Sequence, residues 1–157
     1  MTRPKNDSQL IRWQPDVTVA AVCERDGRFL LVEERSKSSN QIVFNQPAGH
    51  MENLETVDEA VRREVLEETC RHFEPQGVVG LYRLPLSKDK TYIRYTFFGQ
   101  VSQIDPNANL DPDIIASHWL TLDEIRNHQQ LRSPLVLQCI EDYLAGSKHP
   151  LSIVKEI

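Results

Sequence analysis

The chain has 157 residues, 39% of them hydrophobic and 26% charged, with a formal net charge of −5. A domain of that length buries about 70% of the surface its unfolded form exposes, and a near-average composition excludes a disordered chain or a coiled coil. The acidic balance offers no wholesale attraction to phosphate backbones or anionic lipid, which disfavours nucleic acid as the main partner.

The opening MTRPKNDSQLIRW lacks an uninterrupted apolar core, and no run of about 18 apolar residues occurs anywhere, so no membrane role is expected. Cys23, Cys70 and Cys139 are odd in number and far apart, which argues against a disulfide framework or a zinc site. A reduced, cytoplasmic setting is the expectation. Residues 1–14 read as a loose polar leader and 15–157 as one domain.

In chain order, Asp16 to Glu24 and Arg28 to Glu33 read as strands, rich in β-branched and apolar residues. Asp26-Gly27 between them marks a hairpin turn. The stretch RSKSSNQIV is polar and loop-like, and in FNQPAGHMENLE that follows, Pro47 and Gly49 disfavour any continuing element. Helical signals start at Thr56: it can act as N-cap, Glu59 completes a capping box, and VDEAVRREVLEET holds mostly good helix formers. Val78 to Leu84 and Thr91 to Val101 read as strands facing each other across PLSKDK, followed by a Pro/Asn/Asp loop from Asp105 to Asp113. Ile114 to Leu120 is a further strand. Thr121 and Glu124 form a second capping box, and Ser133-Pro134 opens the helix LVLQCIEDYLAG, closed by Gly146. One early and two late helices among strands imply an α/β/α sandwich with a mixed central sheet.

The first helix carries the chemistry. At about 100° per residue, with Val57 at zero, Val61 lies at about 40°, Val65 at about 80° and Ala60 at about −60°, which defines the inward face. Glu64 then falls at about −20°, Glu68 at about 20° and Glu67 at about −80°. Charge-rich helices are usually just solvated, but here three carboxylates continue the core-facing stripe. Anions one turn apart in a partly desolvated place repel one another unless something positive sits among them. A divalent cation meets that need, and an all-oxygen donor set without His or Cys favours Mg²⁺, or Mn²⁺, over zinc. Glu55, before the helix, suits the positive end of the macrodipole. Arg63 can reach Glu55 or steady Glu67, and Gly49 gives the preceding loop freedom to turn.

Together Gly49, Glu55, Arg63-Glu64-Val65 and Glu67-Glu68 fit G-x5-E-x7-R-E-U-x-E-E-x-G-U, where U is bulky and aliphatic. With each residue type used at roughly 5–7%, the six polar and glycine positions match by chance in on the order of one chain in 10⁵. This pattern resembles the Nudix box, and the wider chain, through VTVAAV, LLVEE, FNQPAGHME and LRSPLV, is similar to the NudJ-type phosphatases of that family from Val17 to Leu151. The resemblance implies the Nudix sandwich and Mg²⁺-dependent hydrolysis of a phosphoanhydride in a nucleoside di- or triphosphate or a thiamine-type diphosphate. It implies Glu64, Glu67 and Glu68 as metal ligands with the Gly49 carbonyl, and Glu64 as the group that orients or deprotonates water. Two positions depart from the box: its closing G-U is Cys70-Arg71 here, so the helix is expected to end differently, with Phe73 supplying the missing apolar contact. Outside the box, Tyr92, Arg94 and Arg132 are candidate phosphate or ring contacts, Asn45 and Gln46 candidate pocket residues, and Glu52 and Asp113 candidate extra acids. The rival expectation is a catalytically silent Nudix-fold module that binds a nucleotide or regulates a partner, and the complete glutamate set argues against it. Oligomeric state is open, with a monomer as the default.

Overall fold

The computed structural model describes residues 12–157. The expected leader falls largely on residues 1–11, outside the described residues, and 12–14 carry no regular structure.

Strands β1 (Asp16–Arg25) and β2 (Arg28–Arg35) are joined by Asp26 and Gly27, whose φ values of 51° and 72° suit a mirror-image two-residue turn. They pair only at Glu24↔Phe29 and Arg25↔Arg28, then diverge. β1 continues between β4 (Ala48–His50), antiparallel, and β6 (Thr91–Val101), parallel, and β6 pairs with β5 (Phe73–Pro85). β2 continues between β3 (Ile42–Asn45) and β7 (Ile114–Thr121). The result is a mixed seven-stranded sheet ordered β3-β2-β1-β6-β5, with β4 attached to β1 and β7 to β2.

Strand alternation divides the core between the two faces of the sheet. Val19, Ala21 and Cys23 of β1 pack with Phe97 against Val57, Ala60, Val61 and Val65 of helix α1 (Val57–Thr69). Val22 joins Phe29, Leu31 and Val79 against Ile125 of α2 (Leu122–Arg126) and Leu135, Val136, Cys139 and Ile140 of α3 (Leu135–Leu144). The expected α/β/α sandwich is what forms.

Both capping boxes are present, with Thr56 Oγ1 accepting from the Glu59 amide and Thr121 Oγ1 from that of Glu124. Ser133 Oγ accepts from the Leu135 amide while Pro134 already has helical angles, and Gly146 follows the end of α3 at φ 95°.

Three expectations need correction. Residues 42–50, read as irregular, form the short strands β3 and β4, because Pro47 lies between the two ladders and not within either. β5 begins at Phe73 instead of Val78, since its register shifts at Pro75/Gly77 and Val78/Gly80 absorb the residues that looked like breakers. The first helix does not end differently: Cys70 takes the left-handed cap itself, at φ 52°, and donates its amide to the Leu66 carbonyl.

Candidate active site

Helix α1 presents Glu64 and Glu68 to the interior, both buried although ionisable, with Glu67 half-exposed at the rim. Strand β4 runs beside them. Glu68 Oε2 accepts the Ala48 amide at 3.0 Å, and the Glu64 carboxylate fills the space where a Cβ on Gly49 would stand. Gly49 does not have a positive φ. Its lack of a side chain serves close approach, and the turning freedom expected of it is not used.

Arg63 organises the exposed half of the site. It grips Glu55 with two bonds, Nε to Oε2 at 3.0 Å and Nη2 to Oε1 at 2.8 Å, and also donates to the His50 carbonyl. Its Nη1 joins Glu64 Oε1 at 2.8 Å and Glu67 Oε2 at 3.1 Å. Glu55 in turn accepts the Glu52 amide at 2.6 Å, which ties the loop before α1 to the same arginine. The hydrogen bonds from Arg63 pull the Glu55 carboxyl below its ordinary pKa, and those to Glu55 and Glu64 hold the Arg63 pKa up.

Part of the positive charge that the crowded glutamates require is therefore Arg63. It does not serve Glu68: among the described residues no cationic group pairs with Glu68, whose hydrogen-bond partner is the Ala48 amide. Burial raises the Glu68 carboxyl well above its ordinary pKa, and it raises Glu64 in spite of Arg63. Among the described residues no three such side chains form a ready-made metal cluster, because Arg63 Nη1 cross-links the Glu64 and Glu67 oxygens that a metal would take. The donors nonetheless suit a hard divalent ion: they are all oxygen, and the deepest lacks a counter-charge.

The side chains of the other expected site residues make no hydrogen bond to the box glutamates among the described residues. Asn45 and Gln46 are buried, with Asn45 Oδ1 and Gln46 Oε1 unpartnered and Gln46 Nε2 donating to the Val136 carbonyl at 2.6 Å. Arg94 is 5% exposed and its Nε and Nη1 have no partner. Tyr92, two residues away on the same side of β6, meets His50 edge-on at 5.3 Å. Arg132 donates to Glu34 Oε1 at 2.7 Å. Of the two extra acids expected, neither joins the glutamates: Glu52 is exposed and 4.0 Å from Arg63, and Asp113 pairs with Lys37. Beyond the box, Glu34 and Asp111 add to the upward push that burial and Glu64 exert on the Glu68 pKa. Glu34 had a signal in the sequence, since it follows Leu30 and Val32 at a spacing of two and so continues an inward stripe. Asp111 had none; its amide is anchored to the Glu67 carbonyl at 2.8 Å by the fold.

The NUDIX domain family matches residues 12–139. The chain belongs to the Nudix hydrolase family. Among curated proteins it is 38% identical to "Phosphatase NudJ" of Escherichia coli strain K12, over 90% of this chain and 92% of that one. Among solved structures it is similar to a NUDIX hydrolase from Nitrosomonas europaea, with TM-score 0.86, 48% identity, and coverage of 92% of this chain and 98% of that one. A MutT NUDIX hydrolase from Burkholderia pseudomallei matches with TM-score 0.68 and 26% identity, over 82% of this chain and 98% of its own.

Within this Nudix frame the two departures at the end of the box are both accounted for. Cys70 adopts the left-handed cap and places its Sγ 3.7 Å from the Ala108 carbonyl. Arg71 turns away from the glutamates, donating to the Ser102 carbonyl at 2.9 Å with its guanidinium 6.0 Å from the Trp119 ring. Phe73 is buried against α1 in the same cluster as Val65.

Proposed function

We propose that this Nudix hydrolase cleaves a phosphoanhydride bond in a nucleoside di- or triphosphate or a thiamine-type diphosphate, with Mg²⁺, or Mn²⁺, held by Glu64, Glu67, Glu68 and the Gly49 carbonyl. The observation that carries this is Glu68, a buried carboxylate with one amide bond and no ion-pair partner among the described residues. A diphosphate repels nucleophiles with its own anionic oxygens, and divalent ions, when bound, neutralise those oxygens and acidify water. Glu64 lies beside Gly49 at the buried edge of the set and is the group proposed to orient the water and accept its proton. Glu55 and Arg63 are positioning residues that fix the loop before α1 and set the side-chain direction of Glu64 and Glu67. Arg94, Arg132 and Tyr92 are proposed to face the substrate. The acceptor oxygens of Asn45 and Gln46 suit N–H groups on its organic part. The similarity to a named phosphatase supports the reaction class. Among the described residues no helix is long and apolar enough to cross a membrane, and the cysteine usage favours a cytoplasmic enzyme, here taken as a monomer.

The test is product release from a panel of nucleoside di- and triphosphates and thiamine pyrophosphate, with and without Mg²⁺, with phosphate and pyrophosphate measured separately. Turnover should require the metal. Glu64→Gln should lower it by about 10²-fold or more with the melting temperature preserved. Full activity in that variant would remove Glu64 from the chemistry.

A further inference from the structure

Among the described residues Arg94 is the most deeply buried guanidinium outside the box, and its Nε and Nη1 make no hydrogen bond there. Such a charge is costly unless an anion meets it at some stage of the working cycle. Among the described residues no carboxylate forms an ion pair with it, and the charge of Glu68 reaches it only at longer range. Across the ladder Arg94 is in register with Thr18, whose Oγ1 is also buried and unpartnered. Two residues along the same side of β6, Thr96 Oγ1 meets Cys139 Sγ of α3 at 3.5 Å. Burial holds the Arg94 pKa down, and the charge of Arg132 pushes it the same way, so the two arginines are close enough to feel each other. Arg132 differs in having a partner, Glu34, whose side chain is only 12% exposed. Glu34 and Arg94 both act electrostatically on Glu68 or with it, which places this second group beside the proposed metal carboxylates.

We propose that Arg94 and Arg132 form an anion clamp that holds the substrate phosphoryl group not under attack, with Arg132 leaving Glu34 to complete it. Arg94 is the fixed jaw, since its backbone is in the middle of the sheet between β1 and β5. Arg132 is the movable jaw, half-exposed on the segment before α3. The segment's backbone stays tethered while the side chain swings, because the Arg132 amide donates to the Phe44 carbonyl at 2.8 Å. The Thr18 hydroxyl can add a donor to the same anion. Exchanging one carboxylate for a diphosphate lets both guanidiniums make charge-assisted bonds where only one does now. The Glu34–Arg132 pair thus acts as a resting latch that competes with substrate. The proposal takes the identity of the anion from the hydrolase reading above; the clamp itself requires no metal.

The experiment is calorimetric titration of inorganic pyrophosphate into the full chain in EDTA, with melting curves on the same samples. Wild type should bind. Arg94→Met should lose binding about tenfold or more while melting higher than wild type in buffer, because an unpaired buried charge has been removed. Arg94→Lys, which keeps the charge but loses the fork, should bind weakly and covers the case of a Met variant that does not fold. Glu34→Gln should bind pyrophosphate more tightly than wild type, since the latch is weakened. Absence of binding in EDTA, or binding by Arg94→Met and Arg94→Lys that stays within about twofold of wild type, would overturn the clamp. Arg94-dependent binding together with no metal-dependent turnover of any diphosphate would leave the clamp standing and sink the hydrolase reading instead.

Discussion

Glu68 and Glu64 are the residues on which the proposed metal site rests, because both are buried carboxylates. Each is ionised at neutral pH only against a desolvation penalty, and Glu68 has no ion pair to offset it. Glu68→Gln keeps an oxygen for the Ala48 amide and removes the charge. The variant should therefore melt about 2–4 °C higher than wild type in EDTA and lack the rise predicted for wild type on adding Mg²⁺. Because the folded-state pKa of these carboxyls is raised, the folded protein binds more protons than the unfolded chain at pH values between the two pKa values. Their contribution to metal-free stability is complete below about 4.3, the unfolded glutamate value, and is lost as pH climbs through the raised values. Metal binding needs the ionised form, so the Mg²⁺-induced rise in melting temperature should grow with pH over that window. Melting curves at several pH values, with and without Mg²⁺, check both signs. A single methyl tests the geometry: Gly49→Ala would overlap the Glu64 carboxylate and should lower activity sharply even where the fold survives. The inward position of Glu64 and Glu68 was legible from helix periodicity alone. The role of Arg63 as an internal counter-cation for Glu55, Glu64 and Glu67 was legible only in part, because spacing shows what an arginine can reach and not how many partners it takes at once.

At the scale of elements, α1 is held by its two ends. Thr56 and Glu59 satisfy each other's amides at the start, so Thr56→Ala should cost about 1 kcal/mol. At the other end Cys70 occupies a left-handed conformation that favours glycine, and Cys70→Gly should gain up to about 1 kcal/mol, seen as a higher denaturation midpoint with an unchanged slope. Both capping boxes could be read directly because each is a local pairing three residues apart. The strands β3 and β4 could not. Their ladders are made with residues far away in sequence, Val32↔Asn45 and Val19↔Gly49 among them, and Pro47 and Gly49 gave the local pattern of a loop. β5 hid its first five residues for the same reason, since bulges let Pro75 and Gly77 sit within a strand that pairs with β6.

Across the whole molecule, the sandwich brings α1 to one face of the sheet and α3 to the other. The box was readable as a motif because its residues are close in sequence. Glu34, Asp111 and the Glu34–Arg132 pair were not assembled in advance, since residues 34, 68, 111 and 132 meet only through the fold. Among the described residues no cation forms an ion pair with Glu68, and the proposal that a divalent ion fills that place is the claim on which the metal site turns. Titration of Mg²⁺ into the metal-free protein by calorimetry tests it most directly. Saturable binding should appear in wild type, release protons, and weaken by about tenfold or more in Glu68→Gln. Heat indistinguishable from dilution in wild type, or equal affinity in the variant, would contradict it.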